Sequence, residues 1–251
     1  MNRAQPRGLN RRRVEHLLSR AKPGLSIGAR IDILSQHFLG RPYKSNPLIG
    51  SAELDEVFVA SLDGFDCVTY IETILALARA RTGADFVTEL RKLRYDGGLA
   101  SWERRNHYMT DWIRNNERAG SIARVSPAGL LMREKDRILN MVAGLRLRSA
   151  RIKCVPKPAI SQLKPHLRDG DLLFFASTRK NLDVFHAGIV VREGDRIVLR
   201  HASRGKGIVV QQDLEEFLAQ NRMAGVIAVR PVDAGRRTST SRLRVAAAGG
   251  M

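Results

Sequence analysis

The chain has 251 residues, 43% of them hydrophobic and 27% charged, a balance that suits one globular domain with extensions rather than a disordered or membrane chain. Lysine and arginine number 43 against 25 aspartates and glutamates, a formal net charge of +18, which favours anionic partners without fixing a fold. Two cysteines exclude a disulfide scaffold and a paired-cysteine zinc module, and no run of 18 apolar residues offers a membrane span.

In chain order, residues 1–22 read as a basic N-terminal arm, with a short helix over 11–21 closed by Lys22-Pro23-Gly24. They lack the apolar stretch of a secretory signal. The compartment is then the cytoplasm by default, and the periplasm or cell envelope if the true start lies elsewhere. The domain proper is expected over 23–233. Ile31, Leu34 and Phe38 share one face of a helix over 29–38, with Gly40 as its stop. Residues 40–53 are loop-like. After Gly64, the spacing of Val68, Ile71, Ile74, Leu75 and Ala78 predicts the clearest helix, capped by Asp63 or Asp66. Further helices are expected over 84–93 and 102–118, and residues 127–147 read as mixed helix and loop.

The second half changes character. Short runs of Val, Ile, Leu and Phe predict strands at 171–175, 185–191, 196–201, 208–211 and 226–231, with turns at Glu193-Gly194-Asp195 and Gly205-Lys206-Gly207. Helices first and an antiparallel sheet after them is an α+β order. Residues 234–251, rich in Arg, Ser, Thr, Ala and Gly, read as a disordered basic tail.

Three residues carry the candidate chemistry. Cys67 begins the clearest helix, where unpaired N–H groups and the helix dipole favour thiolate, the nucleophilic form. Taken by itself it is more often a small core hydrophobe. His186 interrupts an otherwise apolar strand, and a buried histidine needs partners for its ring nitrogens. His201 ends the next strand. If the two strands pair through the 193–195 turn, both histidines lie near one end of the sheet, in the order nucleophile, base, orienter.

Four short motifs in that same order resemble the NlpC-type papain-like cell-wall cysteine hydrolases: Phe65-Asp66-Cys67, Gly170-Asp171-Leu172-Leu173-Phe174-Phe175, His186-Ala187-Gly188-Ile189-Val190 and His201-Ala202-Ser203. Phe38-Leu39-Gly40-Arg41-Pro42-Tyr43, Leu48-Ile49-Gly50-Ser51, Cys67-Val68-Thr69-Tyr70-Ile71-Glu72 and His107-Tyr108-Met109-Thr110-Asp111-Trp112 resemble the N-acetylmuramoyl-L-alanine amidase-like branch. The likeness spans roughly 38–230. Endopeptidase members carry Ser-Gly after the cysteine, whereas Val68-Thr69 follow here, which favours the amidase branch.

The resemblance implies an α+β papain-like fold with N-terminal helices on a C-terminal antiparallel sheet. It implies hydrolysis of the amide between muramic acid and L-alanine, by Cys67 as nucleophile, His186 as base and His201 as its orienter, without a cofactor. Tyr43, Asp66, His107, Asp111 and Trp112 are the substrate-binding candidates. His107 and Asp111 stand four apart on a predicted helix and share a face; a pocket wall and an ordinary surface pair with core aromatics fit them equally. Cys154 reads as an inert thiol. Peptidoglycan or a muropeptide is the expected partner, with an anionic envelope surface met by the basic tails. A γ-D-glutamyl-diaminopimelate endopeptidase is the alternative within the fold. A nucleic-acid module is a weaker rival, since the charge forms no known reading motif, and a zinc site on Cys67, His186 and His201 lacks the usual ligand spacing.

Overall fold

Five helices precede the strands in the computed structural model, which describes residues 6–22 and 24–234. They are α1 (Arg11–Arg20), α2 (Ile27–His37), α3 (Cys67–Arg79), α4 (Gly83–Arg94) and α5 (Met109–Arg118). The rest of the chain runs β1 (Ile122–Arg124), β2 (Arg133–Leu139), β3 (Arg148–Pro156), α6 (Ile160–Leu163), β4 (Leu172–Ala176), β5 (Val184–Glu193), β6 (Arg196–Ser203), β7 (Ile208–Asp213), α7 (Leu214–Gln220) and β8 (Gly225–Pro231). No helix among the described residues is long and apolar enough to cross a membrane.

Side chains that accept orphan N–H groups start the first four helices. Asn10 caps α1, Ser26 caps α2, and Asp66 and Thr82 close capping boxes on α3 and α4 with Thr69 and Asp85. Along α1, Val14, Leu17 and Leu18 form an apolar stripe buried in the main core. Ahead of it, Arg7 bonds both ways with the chain at 58–60, donating to Phe58 O and accepting from Ala60 N–H, each at 2.9 Å. The described part of residues 1–22 is therefore docked on the domain rather than standing off as an arm. Residues 235–251, most of the expected tail, lie outside the described residues.

All strand pairings are antiparallel, in the order β2-β3-β8-β4-β5-β6-β7, with β1 also paired to β8. Both faces of the sheet are covered. Leu172, Phe174, Ala187, Ile189 and Ala202 meet the helices α1–α5, while Leu173, Phe175, Val190 and Leu199 lie under α6 and α7. Burial of each large apolar side chain contributes about 1.5–3 kcal/mol relative to exposure, which explains why every residue of β4 is apolar and buried.

Two sequence expectations fail here. Residues 127–147 contain strand β2, which pairs residue by residue with β3. Its sequence REKDRIL shows no helical stripe and little apolar alternation, because β2 is an edge strand stabilised by cross-strand contacts such as Arg151–Asp136 at 3.0 Å. The helix expected over 102–118 is broken into a single 3-10 turn at Trp102–Arg104 and α5, whose N-cap is Tyr108.

Candidate active site

Cys67 is the first residue of α3, set there by the capping box before it. Oδ1 of Asp66 accepts the N–H of Val68 at 3.1 Å and of Thr69 at 2.7 Å, and Oγ1 of Thr69 accepts the N–H of Asp66 at 3.0 Å. Cys67 lines one cavity with His186 and Ala187 of β5. The sequence position predicts a thiolate. Instead burial, and next the Asp66 carboxylate, push the thiol up to about 12, against the backbone N–H groups of Ala187, Cys67 and Val68. At rest Cys67 is a neutral thiol.

The β5–β6 hairpin positions the histidines. Glu193 lies opposite Arg196 across a two-residue turn, with Gly194 at φ 63°. Gly188 permits the close packing of these strands, because a Cβ there would stand 2.7 Å from Cδ1 of Leu199. Nε2 of His186 and Nδ1 of His201 are 2.8 Å apart, with their rings nearly perpendicular at 87°. The His186 ring leaves β5 on the side of Phe175 and Phe217, stacking on both at centroid distances of 6.1 and 5.4 Å. This apolar shell holds His186 down to about 3, by burial first and by His201 second, and burial holds His201 down to about 4. Both imidazoles are neutral at pH 7.

His186 stands between two spaces. A cavity of about 160 Å³ is lined by Cys67, His107, Asp183, His186 and Ala187 among others. A more open groove of about 470 Å³ runs past His186 and His201 to Arg204, Lys206, Gln212 and Gln220. Among the described residues, no three metal-ligating side chains converge on one point.

The substrate-binding candidates fall in different places. Tyr43 lies beside Cys67: its N–H donates to Gly207 O at 2.7 Å, and burial, Cys67 and Asp66 together raise its phenol. His107 lines the Cys67 cavity, but it precedes α5 and does not share a helix face with Asp111. Its Nε2–H donates to Trp102 O at 2.7 Å, and burial holds it down to about 4. Asp111 faces away from Cys67, paired with Arg114 at 2.8 Å and with Arg148. Trp112 is not a pocket wall. It is fully buried, packs on Phe174, and donates its indole N–H to Glu72 at 3.1 Å. Asp66 acts as the cap of α3. The aromatic shell from Phe175 and Phe217 is not anticipated by the sequence reading, nor is Gln212; only the apolar pattern of 214–218 points that way.

The fold is thus α+β, a layer of helices on an antiparallel sheet, with Cys67 at the start of α3 and two hydrogen-bonded histidines on β5 and β6. The chain belongs to the AmiA-like, N-acetylmuramoyl-L-alanine amidase-like family, whose model matches residues 33–226. It is similar in structure to an N-acetylmuramoyl-L-alanine amidase from Bacteroides uniformis, with TM-score 0.73 and 24% identity over 82% of this chain and 99% of that one. A protein from Legionella pneumophila is similar with TM-score 0.75 and 19% identity, over 89% of this chain and 96% of that one. At these identities the likeness speaks to the fold. No curated protein matches the chain in sequence.

Proposed function

We propose that the protein is a cysteine-dependent amidase of papain-like, NlpC-type layout that cleaves the bond between N-acetylmuramic acid and L-alanine in peptidoglycan fragments. The observation that carries this reading is that Cys67 and His186 line one cavity, with His186 in turn 2.8 Å from His201. Membership of the amidase-like family supports the substrate class.

Because thiol and imidazole are both neutral at rest, the proton leaves Sγ for His186 as sulfur attacks the lactyl carbonyl. The Cys67 N–H helps hold the oxyanion. The imidazolium then protonates the L-alanine amine, the C–N bond breaks, and a muramoyl thioester remains on Cys67. Water, deprotonated by His186, releases the muramic carboxylate. His201 orients His186 throughout. His107 borders the cavity that the peptide would enter, and Tyr43 lies beside Cys67.

Mass spectrometry of purified muropeptides tests this. Wild type should yield a muramic sugar and a peptide with a free L-alanine amine, and Cys67→Ala should yield neither. A new amine on diaminopimelate would make the protein an endopeptidase, and full turnover by Cys67→Ala would end the thiol mechanism.

A further inference from the structure

One polar atom beside the histidines has no role in the chemistry above. His201 is only 3% exposed, and its Nε2 is buried with no partner at hydrogen-bond distance. The neighbouring strand supplies a candidate. His201 lies opposite Val210 in the β6–β7 ladder, so Gln212, two residues on, is its diagonal neighbour on the same face, within reach of a long side chain. The Gln212 amide faces the His201 ring, and both border the 470 Å³ groove.

Helix α7 fixes which way that amide points. Gln212 Nε2 donates to Gln220 Oε1 at 3.0 Å, and Gln220 Nε2 donates to Glu216 Oε1 at 3.0 Å. The chain ends on a carboxylate, which only accepts. The NH₂ group of Gln212 is thus turned toward α7, and its Oε1 is left for His201.

We propose that Gln212, anchored by Gln220 and Glu216, is a positioning residue that sets the tautomer of His201 and, through it, of His186. Its effect on turnover rests on the hydrolase reading above. An amide oxygen accepts and cannot donate, so Nε2 of His201 carries the proton. A neutral imidazole has one N–H, which leaves Nδ1 of His201 bare to accept from Nε2–H of His186 across the 2.8 Å contact. Nδ1 of His186 is then also bare, the state that takes a proton from a thiol. Without Gln212, His201 is free to hold its proton on Nδ1. The chain then reverses, and His186 presents an N–H where a base is needed.

Nitrogen-15 long-range NMR on histidine-labelled enzyme at pH 7, without substrate, reads these tautomers directly. Wild type should show Nε2–H on both His186 and His201. Gln212→Leu should populate Nδ1–H on both and lower kcat at least about tenfold with KM unchanged, a fraction of the full value of a general base. Gln212→Glu keeps an acceptor and should restore the wild-type tautomers and most of the rate. Nδ1–H on His201 in the wild type, or unaltered tautomers in Gln212→Leu, would overturn the proposal. If the tautomers shift as expected while wild type cleaves no muropeptide, the positioning role stands and the hydrolase reading falls.

Discussion

The helix that carries Cys67 is anchored by a buried ion pair, and breaking that pair tests the account of the fold most directly. Glu72, one and a half turns into α3, accepts from Arg94 Nε of α4 at 2.7 Å and from the Trp112 indole of α5 at 3.1 Å. The two charged side chains are 2% and 3% exposed, and Arg94 also donates to Val59 O at 2.6 Å. Burial pushes the Glu72 carboxyl up and Arg94 opposes that shift, so the pair survives because both members are present. Glu72→Gln keeps the shape and an oxygen for Trp112 but strands the guanidinium in the core. Removal of one partner of a buried pair costs about 3–5 kcal/mol. For a domain of this size that lowers Tm by roughly 6–20 °C. Replacement of both Glu72 and Arg94 by Met should recover most of the loss, since the charge and its counter-charge leave together. Thermal melts followed by circular dichroism decide the matter. A Glu72→Gln protein melting within about 2 °C of wild type would refute the premise that this pair ties α3 to α4 and α5.

Asp66→Asn retains an N-cap while removing the charge that raises the Cys67 thiol; iodoacetamide should label Cys67 faster than in wild type at pH 8, and equal rates would show that Asp66 does not act on the sulfur. His186→Ala should cost at least about a hundredfold in kcat, as loss of a general base does, and His201→Ala less, with both melts close to wild type; a larger loss from His201→Ala would invert the assigned roles. His107 is held down to about 4 from 6.5 by burial, so the unfolded chain protonates first and His107 opposes folding increasingly as pH falls from 6.5 toward 4. Urea unfolding should show His107→Gln gaining on wild type across that window, by on the order of 2 kcal/mol at its acid end, and a difference independent of pH would contradict the burial of this ring.

Much of the candidate site's local structure was legible because the signals were local. Asp63 or Asp66 ahead of an apolar helical run marks a helix start, with Asp66 the cap used, and the turn at Gly194 brings His186 and His201 to one end of the sheet. The charge state of Cys67 was not legible, because it depends on burial and on Asp66, and the cap that builds the helix also opposes its dipole at the sulfur. Trp112 stood open between pocket wall and core because the start of α5 was not legible; with α5 beginning at Met109, the stripe Met109, Trp112, Ile113 and Asn116 is buried. Strand β2 gave no comparable sign, since REKDRIL takes its conformation from β3 rather than from its own composition.

Strand β8 is the last element among the described residues and one of the most central. It lies between β3 and β4 and pairs with β1 as well, so Val155 and Phe175 both meet Val226. During synthesis, strands β2 and β3 and strands β4 to β7 emerge as two separate ribbons, each with an open edge where β8 belongs. The sheet closes only when residues 225–231 have left the ribosome. Until then the apolar strand β4 has a row of unpaired backbone groups and is the segment most exposed to misassembly. A stop codon upstream of Gly225 would therefore remove the strand that joins the two ribbons, although it would leave Cys67, His186 and His201 in the chain.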